Sequence, residues 1–369
     1  MSSNNYQTYF DCGSSKLRAG VFNMVNLSET FYTESKFLYD HAEIESEIHK
    51  IIIFLEKNTN KYIDNVNLMI DSAKMLSIGI SVFKKIDGLQ LRKEDVQFLV
   101  QEAKQQILKH YSNQNILHIV INNYKINDVD YDYLPMDIKC NFISLDTLFI
   151  CMPNKIINHF KSFFYKLDIS INRIICSSYA KALNYKSNFS LYKDISFIDV
   201  GFNKTSITTY YNNKITSLDT LPIGGNHITK DISEVLKIDL EQAENLKMNF
   251  CKNEPPLNDK DSSLELLQKI IFARTEEILE LCAQSIKLNL TSVELHKIIL
   301  VGGGSKILDN QYRDKIDIMN DIDFLDETTE DICQSGFKLG MGLSKREVAI
   351  VPKKHIKQGF FEKLFHLFK

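Results

Sequence analysis

Apolar and polar positions along this chain follow two periods, one of strands and one of helices. Apolar runs at residues 6–10 and 17–22 flank Asp11-Cys12-Gly13-Ser14-Ser15-Lys16, which predicts a hairpin turn closing a buried strand. The same form returns at 195–198, which leads into Asp199-Val200-Gly201-Phe202-Asn203-Lys204 and an alternating strand over 205–211. Asp-x-Gly-x-x-Lys thus occurs twice at equivalent strand ends, as expected of two related halves that each open with a hairpin; either copy alone is also an ordinary turn. Helical periodicity covers 44–55, 95–109, 155–166, 178–185, 225–236, 241–249 and 263–290. The mixed order predicts an α/β protein. Between about 82 and 152 a helix capped near Arg92-Lys93-Glu94-Asp95 and strands at 116–121, 138–142 and 147–152 predict a small α/β insertion.

Composition narrows the classes. A chain of 369 residues, 44% hydrophobic and 25% charged, can bury more than one core. Lys plus Arg number 44 against 47 Asp plus Glu, and positive charge gathers only near the C-terminus, so a nucleic-acid binder is not expected. Seven scattered cysteines with no Cys-x-x-Cys read as reduced thiols. Residues 1–11 have neither the basic region nor the apolar stretch of a signal peptide, and the expectation is a chain kept inside the cell. Tyr and Phe, 16 and 23, are dispersed through apolar runs, as core residues would be.

Glycine is scarce at 14 residues, about half of a usual share of roughly 7%, so its placement is informative. Seven of the 14 sit in four loops: Gly13, Gly201, Gly224 with Gly225, and Gly302 with Gly303 and Gly304. Four glycine loops after strands suit a bound polyphosphate, because glycine admits close approach of backbone N–H groups to phosphate oxygens. Ser14 and Ser15 add hydroxyl donors and Lys16 adds charge. Asp11 and Asp199, at paired strand ends, would hold waters of a magnesium ion, or merely cap their hairpins. The loop at Gly224-Gly225 opens a helix whose N-terminal dipole can face phosphate, and Gly302-Gly303-Gly304 leaves room for a base or ribose against the backbone.

In this order the motifs resemble the two-lobed actin-like ATPases, and more closely the FtsA family of bacterial cell-division proteins. The resemblance rests on residues 11–16, Ser178-Tyr-Ala-Lys-Ala-Leu183, Pro222-Ile-Gly-Gly-Asn-His-Ile-Thr-Lys-Asp-Ile232, Glu241-Gln-Ala-Glu-Asn-Leu-Lys247 and Leu300-Val-Gly-Gly-Gly304. The family implies a ribonuclease H-like fold that binds ATP and Mg2+ between its lobes, with Glu244 and Lys247 at the ribose and base; the alternative for that pair is a solvated ion pair. It also implies assembly into actin-like protofilaments and binding to FtsZ near residues 235–290 and to other divisome proteins. Its second phosphate loop usually reads Asp-x-Gly-Gly-Gly-Thr, whereas here Phe202, Asn203 and Lys204 precede Thr205. Part of the phosphate cradle is then lost, Lys204 partly compensates as a point charge, and slow hydrolysis is expected.

The implied domains are lobe 1 over 1–81 and 154–188, the FtsA-type insertion over 82–153, the lobe 2 core over 189–234 and 295–326, its outer subdomain over 235–294, and a closing helix over 327–343. Residues 344–354 read as a polar linker and 355–369 as an amphipathic helix. In the latter, Phe360, Phe361, Leu364, Phe365, Leu367 and Phe368 fall within an arc of roughly 160°. Twelve residues from Gln358 rise only about 18 Å, too short to span a bilayer, so the helix would lie on a membrane with Lys357 and Lys363 toward anionic headgroups, or dock on protein. In the position of the family's membrane-targeting helix, it implies a peripheral protein on the inner face of the cell membrane at the division site. The rivals are a pilus-assembly ATPase similar to PilM, which is not expected to carry this tail, and a sugar kinase of the same superfamily, for which no segment marks a catalytic aspartate in a substrate cleft.

Overall fold

Both Asp-x-Gly-x-x-Lys segments fold alike. In strand β1 (Tyr6–Cys12), Cys12 pairs with Leu17 of the antiparallel β2 (Lys16–Asn23), and the Gly13 N–H donates to the Lys16 carbonyl at 3.0 Å. In β10 (Ile195–Val200), Val200 pairs with Thr205 of β11 (Thr205–Tyr211), and the Gly201 N–H donates to the Lys204 carbonyl at 2.9 Å. A Cβ on either glycine would stand 2.9 Å from that same carbonyl oxygen, so both turns exclude a side chain for one reason. The structure, a computed structural model, describes residues 6–26, 29–36, 41–135, 138–251, 261–289, 296–308, 322–342 and 346–348.

Each hairpin grows into a five-stranded sheet of matching order. In the first lobe β3 (Thr30–Lys36) extends the meander, while β4 (Asn65–Ile70) and β9 (Ser170–Cys176) add in parallel, giving β3-β2-β1-β4-β9. In the second, β12 (Lys214–Leu221) extends the meander, while β13 (Lys297–Val301) and β14 (Ile322–Phe324) add in parallel, giving β12-β11-β10-β13-β14. Parallel pairs require crossovers, and these carry the helices. Helices α1 (His41–Thr59) and α3 (Asn154–Lys166) belong to the first lobe with α4 (Ser177–Lys186), and α5 (Gly225–Leu236), α6 (Leu240–Cys251) and α7 (Asp261–Leu288) to the second. All five residues of β13 are buried, as expected of a strand covered on both faces. The two expected halves are therefore present as a repeated sheet, and the α/β class holds.

The insertion interrupts the crossover from β4 to β9. It is a four-stranded antiparallel sheet, β5-β8-β6-β7, built from β5 (Leu76–Lys85), β6 (Gln114–Ile126), β7 (Val129–Tyr131) and β8 (Phe142–Pro153), with α2 (Lys93–His110) packed on it. It opens at Leu76, ahead of the position its apolar pattern indicated, because β5 is half solvated and only Val82 is buried there. The strand expected at 138–142 is reduced to a single bridge at Lys139, and the one expected at 147–152 begins earlier, as β8 from Phe142. The insertion meets the second lobe through hydrogen bonds from the Leu218 N–H to Ser77 Oγ at 3.1 Å and from Asn122 Nδ2 to the Ile215 carbonyl at 2.7 Å.

Helix α8 (Thr329–Gly340) closes the first lobe, its first turn capped by Thr328, which accepts the Asp331 N–H. It lies so close to the sheet that a Cβ on Gly336 would stand 2.3 Å from Met69 Sδ and 3.1 Å from the ring of Tyr9, both fully buried. Gly336→Ala gains about 1 kcal/mol of helix propensity but meets an overpacking cost of about 1–3 kcal/mol. The expected net result is a lower urea midpoint; a higher one would mean that Met69 has room to move.

The polar stretch read as a linker over 344–354 is corrected in the part that is described. Residues 346–348 pair with β6, through the Ile121 N–H to the Arg346 carbonyl at 2.9 Å and the Val348 N–H to the Ile119 carbonyl at 2.9 Å. The Glu347 side chain is buried and receives His118 Nδ1 at 2.7 Å and Arg173 Nη2. A free tether would leave these backbone groups to solvent; here β6 satisfies them, while Arg173 of β9 holds the Glu347 carboxylate. The amphipathic segment at 355–369 lies outside the described residues.

Candidate functional site: a glycine-walled cleft between the lobes

The two hairpin turns and the loop after β13 face one another across a cavity of about 510 Å³, a size suited to a nucleotide. Gly13, Ser14, Ser15 and Lys16 line one wall, Gly201 and Lys204 the other, and Gly302, Gly303 and Gly304 the third, with Gly225 and Lys247 beside them. Gly302 has φ +90°, and a Cβ there would stand 2.3 Å from Asp199 Oδ1, so this turn requires glycine on both counts. A Cβ on Gly303 would meet nothing within 4 Å.

Thr205, Gly224 and Glu244 do not line the cavity. Thr205 Oγ1 donates to the Ile223 carbonyl at 2.8 Å and ties β11 to the loop before α5. Gly224 packs on the second hairpin, where a Cβ would stand 2.5 Å from the Gly201 carbonyl oxygen. That contact has a consequence for the phosphate reading of α5. The Gly225 N–H donates to the Gly201 carbonyl at 3.0 Å and the Asn226 N–H to the Phe202 carbonyl at 2.7 Å, so the first donors of the helix serve the hairpin. Asn203 is held in the same contact, its Oδ1 accepting from Asn226 Nδ2 at 2.8 Å.

Glu244 and Lys247 are not a solvated pair. Lys247 is 3% exposed, and its Nζ reaches Glu244 at 2.6 Å, Thr229 Oγ1 at 2.8 Å and the Gly225 carbonyl at 3.1 Å. Burial lowers the affinity of Lys247 for its proton, with Glu244 opposing that effect. The ammonium also lies 5.7 Å from the Phe202 ring centroid, so the bulk that replaced a glycine has a neighbour to rest on.

The carboxylates have partners that sequence reasoning did not foresee. Asp11 accepts from Arg18 Nη1 at 3.1 Å and from Ser177 Oγ at 2.8 Å. Asp199 pairs with Lys181 Nζ at 2.6 Å, and the same ammonium reaches Glu327 at 2.9 Å. Glu327 further accepts the Tyr185 hydroxyl at 2.8 Å and the Gly302 N–H at 2.8 Å. Burial pushes the Glu327 carboxyl upward, opposed by Lys181, whereas Lys181 is held well above the usual lysine range because Asp199 and Glu327 outweigh its own desolvation. A third strand-end aspartate, Asp71 after β4, accepts from the Cys176 thiol and the Ser178 N–H and pairs with Lys204 Nζ at 3.4 Å. Burial opposes its ionisation, but Lys204 and these donors prevail and hold it below the ordinary carboxylate range. One signal for Asp71 was present in the chain: it ends an apolar run as Asp11 and Asp199 do.

An actin-like fold implies a nucleotide site, typically magnesium-dependent. The glycine walls and the lysines fit the nucleotide. They do not fit the metal, because Asp11 and Asp199, expected to hold its waters, are each engaged by a basic side chain. Among the described residues no group of three or more His, Cys, Asp or Glu side chains gathers to hold an ion.

A family profile, Cell division protein FtsA, matches residues 196–308, which contain the second hairpin, the start of α5, α6 and the glycine triplet. The chain is 24% identical over 395 aligned residues to the cell division protein FtsA of Buchnera aphidicola from Acyrthosiphon pisum, covering 96% of this chain and 88% of that one. It is 20% identical over 293 residues to FtsA of Agrobacterium fabrum, covering 74% of this chain and 66% of that one, just under two thirds of the relative's length. Among solved structures, the PilM-PilN type IV pilus biogenesis complex shares the fold at a TM-score of 0.60 and 11% identity, covering 88% of this chain and 89% of that one. With the repeated sheets and the cleft between them, these likenesses identify the chain as a protein of the two-lobed actin-like ATPase fold that is similar to the cell-division protein FtsA.

Proposed function

We propose that this chain is a nucleotide-binding, actin-like cell-division protein that polymerises and tethers the FtsZ ring to the inner face of the cytoplasmic membrane. The observation that carries the reading is the FtsA profile match over 196–308, since those residues form two of the three glycine walls of the cleft. The nucleotide sits between the lobes, its phosphates between the two hairpins and its nucleoside against the glycine triplet. It acts as a structural ligand, turned over slowly at most. Two observations support that role: Phe202 and Asn203 stand where the family has glycines, and the Gly225 and Asn226 N–H groups at the start of α5 are committed to the carbonyls of Gly201 and Phe202. An attacking water then has few fixed donors to position it.

Membrane attachment is assigned to the terminal amphipathic segment. No helix among the described residues is long and apolar enough to cross a membrane, and the length of that segment suits lying on one. The likeness to the PilM-PilN complex concerns the fold and does not favour a pilus role over division. The test is co-flotation of FtsZ with anionic liposomes in the presence of ATP. FtsZ is expected to float only when this chain is present; a liposome-bound chain that leaves FtsZ behind would overturn the division reading.

A further inference from the structure

We infer that the cleft takes its nucleoside di- or triphosphate as the free anion, without a divalent cation, and that side-chain cations supply the countercharge a metal would otherwise bring. The inference rests on the nucleotide reading above and goes beyond it.

The first argument is the occupancy of the carboxylate oxygens. Magnesium requires near-octahedral oxygen ligands at roughly 2.0–2.1 Å and is normally held through one or two carboxylates with the phosphates completing the set. Both oxygens of Asp11 are already engaged, by Arg18 and Ser177, and both oxygens of Asp71, by Cys176, Ser178 and Lys204. Asp199 Oδ2 is held by Lys181, and both oxygens of Glu327 by Lys181, Tyr185 and the Gly302 N–H. A cation meeting Asp199 at its other oxygen would lie beside the Lys181 ammonium, whose side chain is only 7% exposed, so water would do little to screen the repulsion between them.

The second argument is the charge of the lining. Seven basic and four acidic side chains line the cavity, and the carboxylates that pair with Lys16, Lys247 and Lys306 lie outside the lining, so a polyanion in the cleft meets more cationic than anionic groups at its wall. The hairpin lysines are placed symmetrically: Lys16 and Lys204 follow equivalent glycines on opposite walls. Lys204 is the looser of the cleft pairs, at 3.4 Å from Asp71, and a phosphate oxygen can compete for its ammonium.

The experiment is titration of the full chain with fluorescently labelled ADP in excess magnesium chloride and in excess EDTA. The expected result is binding in both, with affinities within about twofold of each other. A loss of about tenfold or more in EDTA would overturn the inference while leaving the nucleotide reading intact. Absence of binding under both conditions would overturn the nucleotide reading itself. Gly303→Val is the control for location. Its side chain projects into open space, so the fold should persist while binding is lost in both buffers, and wild-type binding by this variant would place the ligand elsewhere. Lys204→Met should weaken binding in EDTA by about tenfold; unchanged affinity would remove the side-chain countercharge and with it the inference.

Discussion

Lys181→Met should destabilise the protein by about 3–5 kcal/mol near neutral pH, because it removes the one cation shared by two buried carboxylates. The lysine, Asp199 and Glu327 side chains are 7%, 16% and 5% exposed, so water does little to replace the lost ammonium. Methionine keeps most of the aliphatic stem, which confines the deficit to electrostatics. The sign with pH follows from linkage. Burial already raises the Glu327 carboxyl, and in the variant Lys181 no longer opposes it, so the stability linked to Glu327 is greatest at acid pH and is lost as pH rises through its folded value. Urea unfolding should therefore show a smaller penalty at about pH 5 than at about pH 7. Adding Glu327→Gln should recover a substantial part of the loss by deleting one of the two stranded charges. A penalty below about 1 kcal/mol at neutral pH would mean that the triad is hydrated in solution.

Phe361→Glu, and separately Leu364→Glu, should reduce flotation with anionic liposomes by about tenfold or more, since each inserts a charge into the apolar arc of the terminal segment. Nucleotide binding should be unchanged, which separates loss of membrane affinity from loss of fold. The structure narrows where this tail can move from. Glu347 is held by His118 and Arg173, and Val348 by the backbone of β6, so the chain is fixed to the insertion through residue 348. Undiminished flotation of both variants would show that the apolar arc does not bind the membrane.

Local pattern by itself determined the repeated hairpins, the α/β class and the glycine loops of the cleft. A turn such as Gly13 to Lys16 is closed by atoms three residues apart, and a strand's burial shows in its own run of apolar residues. The same locality explains why β5 and the docking of residues 346–348 were not legible: one is half solvated, and the other depends on β6, more than two hundred residues earlier in the chain. The ionic order of the cleft was decided by tertiary structure alone. Lys181 and Glu327 lie 146 residues apart and Asp71 and Lys204 lie 133 apart, and no spacing along the chain encodes such pairs. The donors of α5 show the same limit. A glycine pair at a helix start reads as an anion site, but its N–H groups go to whichever acceptor the fold brings within reach, and here two hairpin carbonyls arrive first.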